Sequence, residues 1–74
     1  MDFEKLKGII VDTLACDAEK VTPEASLKDD LGADSLDSME LVMAIEEEMS
    51  ISIEEEKLAD FVTVNDILEY LNTL

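Results

Sequence analysis

The sequence predicts an all-α fold, a small antiparallel bundle. Apolar residues recur at spacings of three and four in three separate stretches, and no stretch alternates convincingly with the period of two that a half-buried strand needs. Each stretch follows an Asp or Thr, whose side chains cap helix starts.

The first helix is "FEKLKGIIVDTL", capped by Asp2, with Phe3, Leu6, Ile10 and Leu14 on one face. Gly8 weakens its interior by up to ~1 kcal/mol relative to Ala and leaves the assignment intact. Residues 17–33 lack periodicity and contain Thr22-Pro23 and Gly32. Such a long connection in a small chain is functional or packed down by its own side chains, here Val21, Leu27 and Leu31. "SLDSMELVMAIEEEM", residues 35–49, is the strongest helix, with Asp34 as N-cap. The short turn "IEEEKLADF" follows. "TVNDILEYLNTL" opens with Thr63 as N-cap and Asp66 three residues on, close to a capping box. Val64, Ile67, Leu68 and Leu71 form its buried stripe. Short helices with polar links pack as a small antiparallel bundle.

Composition narrows the function. A chain of 74 residues is expected to form one domain, residues 1–74, with no room for a large substrate cleft. Its apolar fraction of 47% is enough for a core despite the charge. No apolar run approaches the ~20 residues of a membrane span. Met1-Asp2-Phe3-Glu4 lacks the basic start of a signal peptide. The one cysteine, Cys16, forms no internal disulfide and reads as a small apolar residue at a helix end, so a reducing cytoplasm is expected.

The net charge of −15 argues against nucleic acid, whose phosphates need Lys and Arg, and against anionic membrane surfaces. It favours basic protein partners, since opposite potentials steer encounter. Acid could instead serve solubility alone. The distribution speaks against that, with ten acids and one basic residue, Lys57, between Asp34 and Asp60.

The second helix carries two apolar stripes. At about 100° per residue, Leu41, Val42, Ile45 and Met49 share one arc, an ordinary core face. Leu36, Met39 and Met43 share another, roughly opposite, flanked by Glu40, Glu46 and Glu47. So many carboxylates speak against burial on all sides, so the second stripe reads as a partner-docking face in preference to ordinary exposed apolar residues. Methionine suits it by adapting to different partners.

At the start of this helix, "GADSLDSME" sets Ser35 among Asp34, Asp37 and Glu40. Without histidine, and with no lysine nearer than Lys28, nothing in the sequence makes Ser35 a nucleophile. With one cysteine and no histidine, zinc is not expected. Asp29 to Glu40 has the length of a calcium loop, but Leu31 and Ala33 stand at ligand positions and Asp34 where glycine is needed. No metal site is expected. Ser35 is either a helix-start serine with a structural role alone, the common case, or a residue acted upon by another enzyme, where a phosphate would meet the free N–H groups of a helix start.

"LGADSLDSMELVMAIEEEM" closely resembles the modification segment and second helix of acyl carrier proteins of dissociated (type II) fatty acid synthesis. The resemblance extends to Val21-Thr22, Asp30-Leu31, Ile53 and "TVNDILEYL", covering essentially the whole chain. It implies a four-helix bundle with three main helices, a short third one and a long loop between the first two. It implies a non-catalytic carrier, itself the substrate of a phosphopantetheinyl transferase. Ser35 would take 4′-phosphopantetheine from coenzyme A through a phosphodiester, making the chain a phosphoprotein in this sense. Acyl chains would ride as thioesters on the terminal thiol. Asp34, Leu36, Asp37, Met39, Glu40, Met43, Glu46 and Glu47 would meet basic surfaces of the transferase and of fatty acid synthesis enzymes, with the carrier a monomer in the cytoplasm. A sheltered acyl chain is expected to lie against Ile45, Ile53, Leu58, Phe61 and Ile67. The chain departs from the family at Ala15-Cys16, where many members have Gly-Val, and in the bulk of Leu58 and Phe61. A carrier for a specialised pathway, polyketide or aminoacyl transfer, shares the serine and the fold. An acidic adaptor would bind basic proteins and never carry the arm.

Overall fold

The computed structural model describes residues 1–74 and is all-helical. Its main helices are α1 (Phe3–Leu14), α2 (Ser35–Met49) and α3 (Val64–Asn72). A short 3-10 helix, Glu55–Asp60, stands between α2 and α3. The expected four helices are therefore present, and the short third one is of the 3-10 type. No helix is long and apolar enough to cross a membrane.

Local chemistry sets each start. Asp2 accepts the N–H of Lys5 at 2.8 Å and begins α1. Asp34 caps α2 and Thr63 caps α3, each in a reciprocal capping box, with Asp37 and Asp66 as the returning acids. The ends of α1 and α2 are unusual. Ala15 (φ 52°) and Ser50 (φ 55°) take the left-handed conformation that glycine adopts without strain.

Leu6 and Ile10 of α1 pack into one core with Leu41, Val42 and Ile45 of α2 and Val64, Ile67 and Leu71 of α3. Phe3, Leu14, Met49 and Leu68, expected in the same stripes, are half-buried. Phe3, Leu14 and Met49 sit in terminal turns, where a helix leaves the bundle.

The long connection is packed down as expected, by a wider set of anchors. Val21 and Leu27 are buried, Leu31 is half-buried, and Ala25 and Ala33 join the core. A 3-10 turn at Ala18–Lys20 opens it. Its middle pairs with the start of α3. Leu27 N–H donates to Val62 O (2.9 Å), Val64 N–H to Ala25 O (3.0 Å) and Asn65 N–H to Pro23 O (2.9 Å). These bonds satisfy backbone groups at the α3 N-terminus and fix the loop that leads into α2.

Candidate functional site

The chain arrives at α2 through Gly32, whose φ of +70° suits a residue without a Cβ. Ala33 is buried and donates its N–H to Leu27 O at 2.8 Å, which anchors the approach. Asp34 Oδ1 then accepts the N–H of Asp37 at 2.9 Å, while Asp37 Oδ2 accepts the N–H of Asp34 at 3.3 Å. Ser35 lies between them as the first helical residue. It is exposed, and its hydroxyl makes no hydrogen bond within the protein. The N–H groups of Ser35 and Leu36 also lack partners, as the first helical donors do. The site thus offers an accessible hydroxyl at the positive end of a 15-residue helix, hydrogen-bonded to no group that could take its proton. These features fit a phosphodiester-linked group: the oxygen is free, and unpaired N–H groups stand close to a phosphate joined there.

The second stripe is exposed. Leu36, Met39 and Met43 are 64%, 48% and 58% accessible, while Leu41, Val42 and Ile45 on the other face are buried. The five acids assigned to this face divide in two. Glu40 and Glu47 are exposed and free of hydrogen bonds within the chain. Asp34, Asp37 and Glu46 each use one oxygen to hold backbone, Glu46 Oε2 taking the N–H of Ile53 at 2.7 Å. The molecule has one ion pair, Lys5 to Glu48 at 3.9 Å, so almost none of the acid is neutralised internally.

The expected acyl-lining residues separate. Ile45 and Ile67 lie deep in the core, at 0% and 1% accessibility. Ile53 and Leu58 line a cleft of about 170 Å³ between α2 and the 55–60 helix, together with Met39, Val42, Met43 and Glu46. A second groove, about 340 Å³, is lined by Ser35, Ser38, Met39, Leu58 and Ala59. Met39 and Leu58 border both, so the two lie side by side between Ser35 and Ile53. Phe61 borders neither. Its ring meets Tyr70 edge to face at 5.4 Å, in a different groove shared with Lys57 and Asp66. Met39, Met43 and Val42 were not expected in the cleft. The two methionines of the exposed stripe are also cleft wall, and only the position of the 55–60 helix reveals it.

Asp66 accepts the N–H groups of Thr63 (3.0 Å) and Val62 (3.1 Å). The Thr63 N–H holds its carboxyl below the usual carboxylate value, against an opposing effect of partial desolvation, with Val62 and the Thr63 hydroxyl adding to the lowering.

Residues 4–71 match the family described as the phosphopantetheine attachment site. The chain is also 52% identical, over 70 residues, to the acyl carrier protein of Thermosynechococcus vestitus, a match covering 95% of this chain and 86% of that protein.

Proposed function

The chain belongs to the acyl carrier proteins, a family of carriers rather than catalysts whose prosthetic group is covalent 4′-phosphopantetheine, and on that premise we propose that Ser35 is the attachment point. The loaded carrier then presents acyl chains to the enzymes of dissociated fatty acid synthesis. Residues 1–74 act as one monomeric carrier domain in the cytoplasm.

The observation that carries this reading is the free, exposed hydroxyl of Ser35 between two aspartates already engaged with each other's backbone. A serine that lacks a base does not start chemistry, but an incoming transferase can supply one. When bound, the arm supplies a thiol that holds an acyl group as a thioester. This chain's residues do the rest. The capping box keeps Ser35 at the rim of α2. Leu36, Met39 and Met43 offer apolar contact, and Glu40 and Glu47 offer uncompensated charge to a basic partner. The adjoining groove and cleft bordered by Met39 and Leu58 shelter hydrocarbon, whose exposure costs about 0.8 kcal/mol per methylene. An adaptor without an arm has no place in a family defined by the attachment site.

The test is intact mass. With coenzyme A and a phosphopantetheinyl transferase, the protein gains one phosphopantetheine, and Ser35→Ala gains none while keeping its helical circular dichroism. Incorporation at Cys16, or into the Ala variant, overturns the assignment.

A further inference from the structure

The four methionines of the chain fall into two pairs. Met1 and Met49 are half-buried and pack against the core. Met39 and Met43 are exposed and stand four residues apart on α2, so their thioethers share one face of the helix. The other side chains open to oxidation are better shielded. Cys16 and Tyr70 are half-buried, and the chain has no tryptophan.

Both exposed sulfurs occupy working positions. Met39 borders the cleft and the groove of Ser35, and Met43 borders the cleft. Leu36, the third member of the stripe, supplies apolar surface without sulfur. A thioether is a flexible apolar group, whereas its sulfoxide is polar. The polar side chains of the cleft lining are Glu46 and Glu55, carboxylates with no hydrogen to donate to a sulfoxide oxygen. The net charge of −15 selects the oxidant, because it repels anionic ones and leaves a neutral hydroperoxide free to approach.

We propose that Met39 and Met43 form a reversible oxidation site at which a hydroperoxide switches docking off. Each sulfur attacks one peroxide oxygen. An S–O bond forms and the O–O bond breaks. The sulfur loses two electrons, and hydrogen peroxide leaves as water. Docking then has to bury two polar oxygens where it buried apolar contact, and an unpaired polar group resists burial. The same change makes the cleft wall polar. The core is untouched, so the fold persists. Methionine sulfoxide reductases return the thioethers, with two electrons from a dithiol and the oxygen leaving as water. The consequence for docking rests on the carrier reading above.

The test uses the protein without its arm, since a prosthetic thiol would itself react. After hydrogen peroxide and its removal by catalase, peptide mass mapping should show Met39 and Met43 each gaining one oxygen several-fold faster than Met49. Equal rates at the three residues overturn the site. Helical circular dichroism should persist. Loading of the oxidised protein by a phosphopantetheinyl transferase with coenzyme A should be several-fold slower than that of the untreated protein. Dithiothreitol with the two methionine sulfoxide reductases should restore it, and dithiothreitol alone should not. Restoration by dithiothreitol alone would place the effect at Cys16 and overturn the proposal. The double variant Met39→Leu, Met43→Leu, compared with itself before treatment, should lose nothing to peroxide, and a loss equal to the parent's overturns the switch. If untreated protein accepts no arm, the carrier reading fails and the switch falls with it, while the mapping still decides whether these two methionines oxidise first.

Discussion

Asp34 and Asp37 exchange hydrogen bonds across Ser35, each carboxylate holding the other's N–H at 2.9 and 3.3 Å. Two acids that look like a docking signal are also the start of the helix. Asp34→Ala should therefore lower stability by about 1 kcal/mol, as loss of an N-cap does. That corresponds to a fall in melting temperature of roughly 4–8 °C in a domain of this size. Chemical denaturation followed by circular dichroism measures it. An unchanged midpoint would show that the capping box does not hold α2.

Asp66 provides a pH-dependent contribution. Its folded pKa lies below the ordinary value, chiefly through the Thr63 N–H. A carboxylate of this kind stabilises the fold above its unfolded pKa of about 4, and the contribution is lost as pH falls from there through the lowered folded value. Asp66→Asn should thus be less stable than the parent at pH 7 and should approach it as pH drops below about 4. Parallel unfolding curves from pH 7 to pH 3 would contradict this.

Ala15 ends α1 at φ 52° and ψ 40°. An L-residue there bears a strain of about 1–2 kcal/mol, and glycine relieves it while adding freedom to the unfolded chain. Ala15→Gly should gain roughly 0.5–1 kcal/mol, and Ala15→Val should lose stability, because a β-branched side chain fits this region worst. Urea midpoints of the two variants should move in opposite directions. A shift in the same direction would mean that α1 ends differently in solution.

Glu40 and Leu36 should separate the two parts of the docking face. Both are exposed, so neither Glu40→Lys nor Leu36→Ala should change stability by more than ~0.5 kcal/mol. Glu40→Lys reverses a charge and should slow association with the transferase several-fold at low salt, the effect shrinking as salt rises. Leu36→Ala removes contact area and should act mainly on dissociation, with little salt dependence. Binding kinetics at two ionic strengths decide. Identical salt responses in the two variants would place the docking face elsewhere.

The helices were legible in the sequence because their causes are local. Asp2, Asp34 and Thr63 sit beside the turns they cap, and a period of 3.6 exposes a stripe within a few residues. The same wheel separated the buried Leu41–Val42–Ile45 face from the exposed Leu36–Met39–Met43 face. What escaped depends on distant partners. Nothing near Ala25 announces that its carbonyl will receive the N–H of Val64, and nothing near Glu46 announces Ile53. Leu58 and Phe61 were grouped for their bulk near the expected acyl pocket, and bulk does not tell which way each side chain faces. The chain leaves that helix at Phe61, with ψ 80°, and its ring pairs with Tyr70 while Leu58 remains on the cleft.

The pairing of residues 23–27 with 62–65 bears on how the protein is made. The loop that delivers Gly32 and Ser35 to the rim of α2 is tied down by backbone of the last helix and the residues just before it. α1 and α2 precede those residues in the chain, so until residues 62–65 are made the loop that leads to the serine lacks that tether. Closing so long a loop is among the slower steps of a small helical fold, since its entropy is lost before the contacts form. The serine therefore reaches its mature setting only once residues 62–65 have been made and have folded back onto the loop.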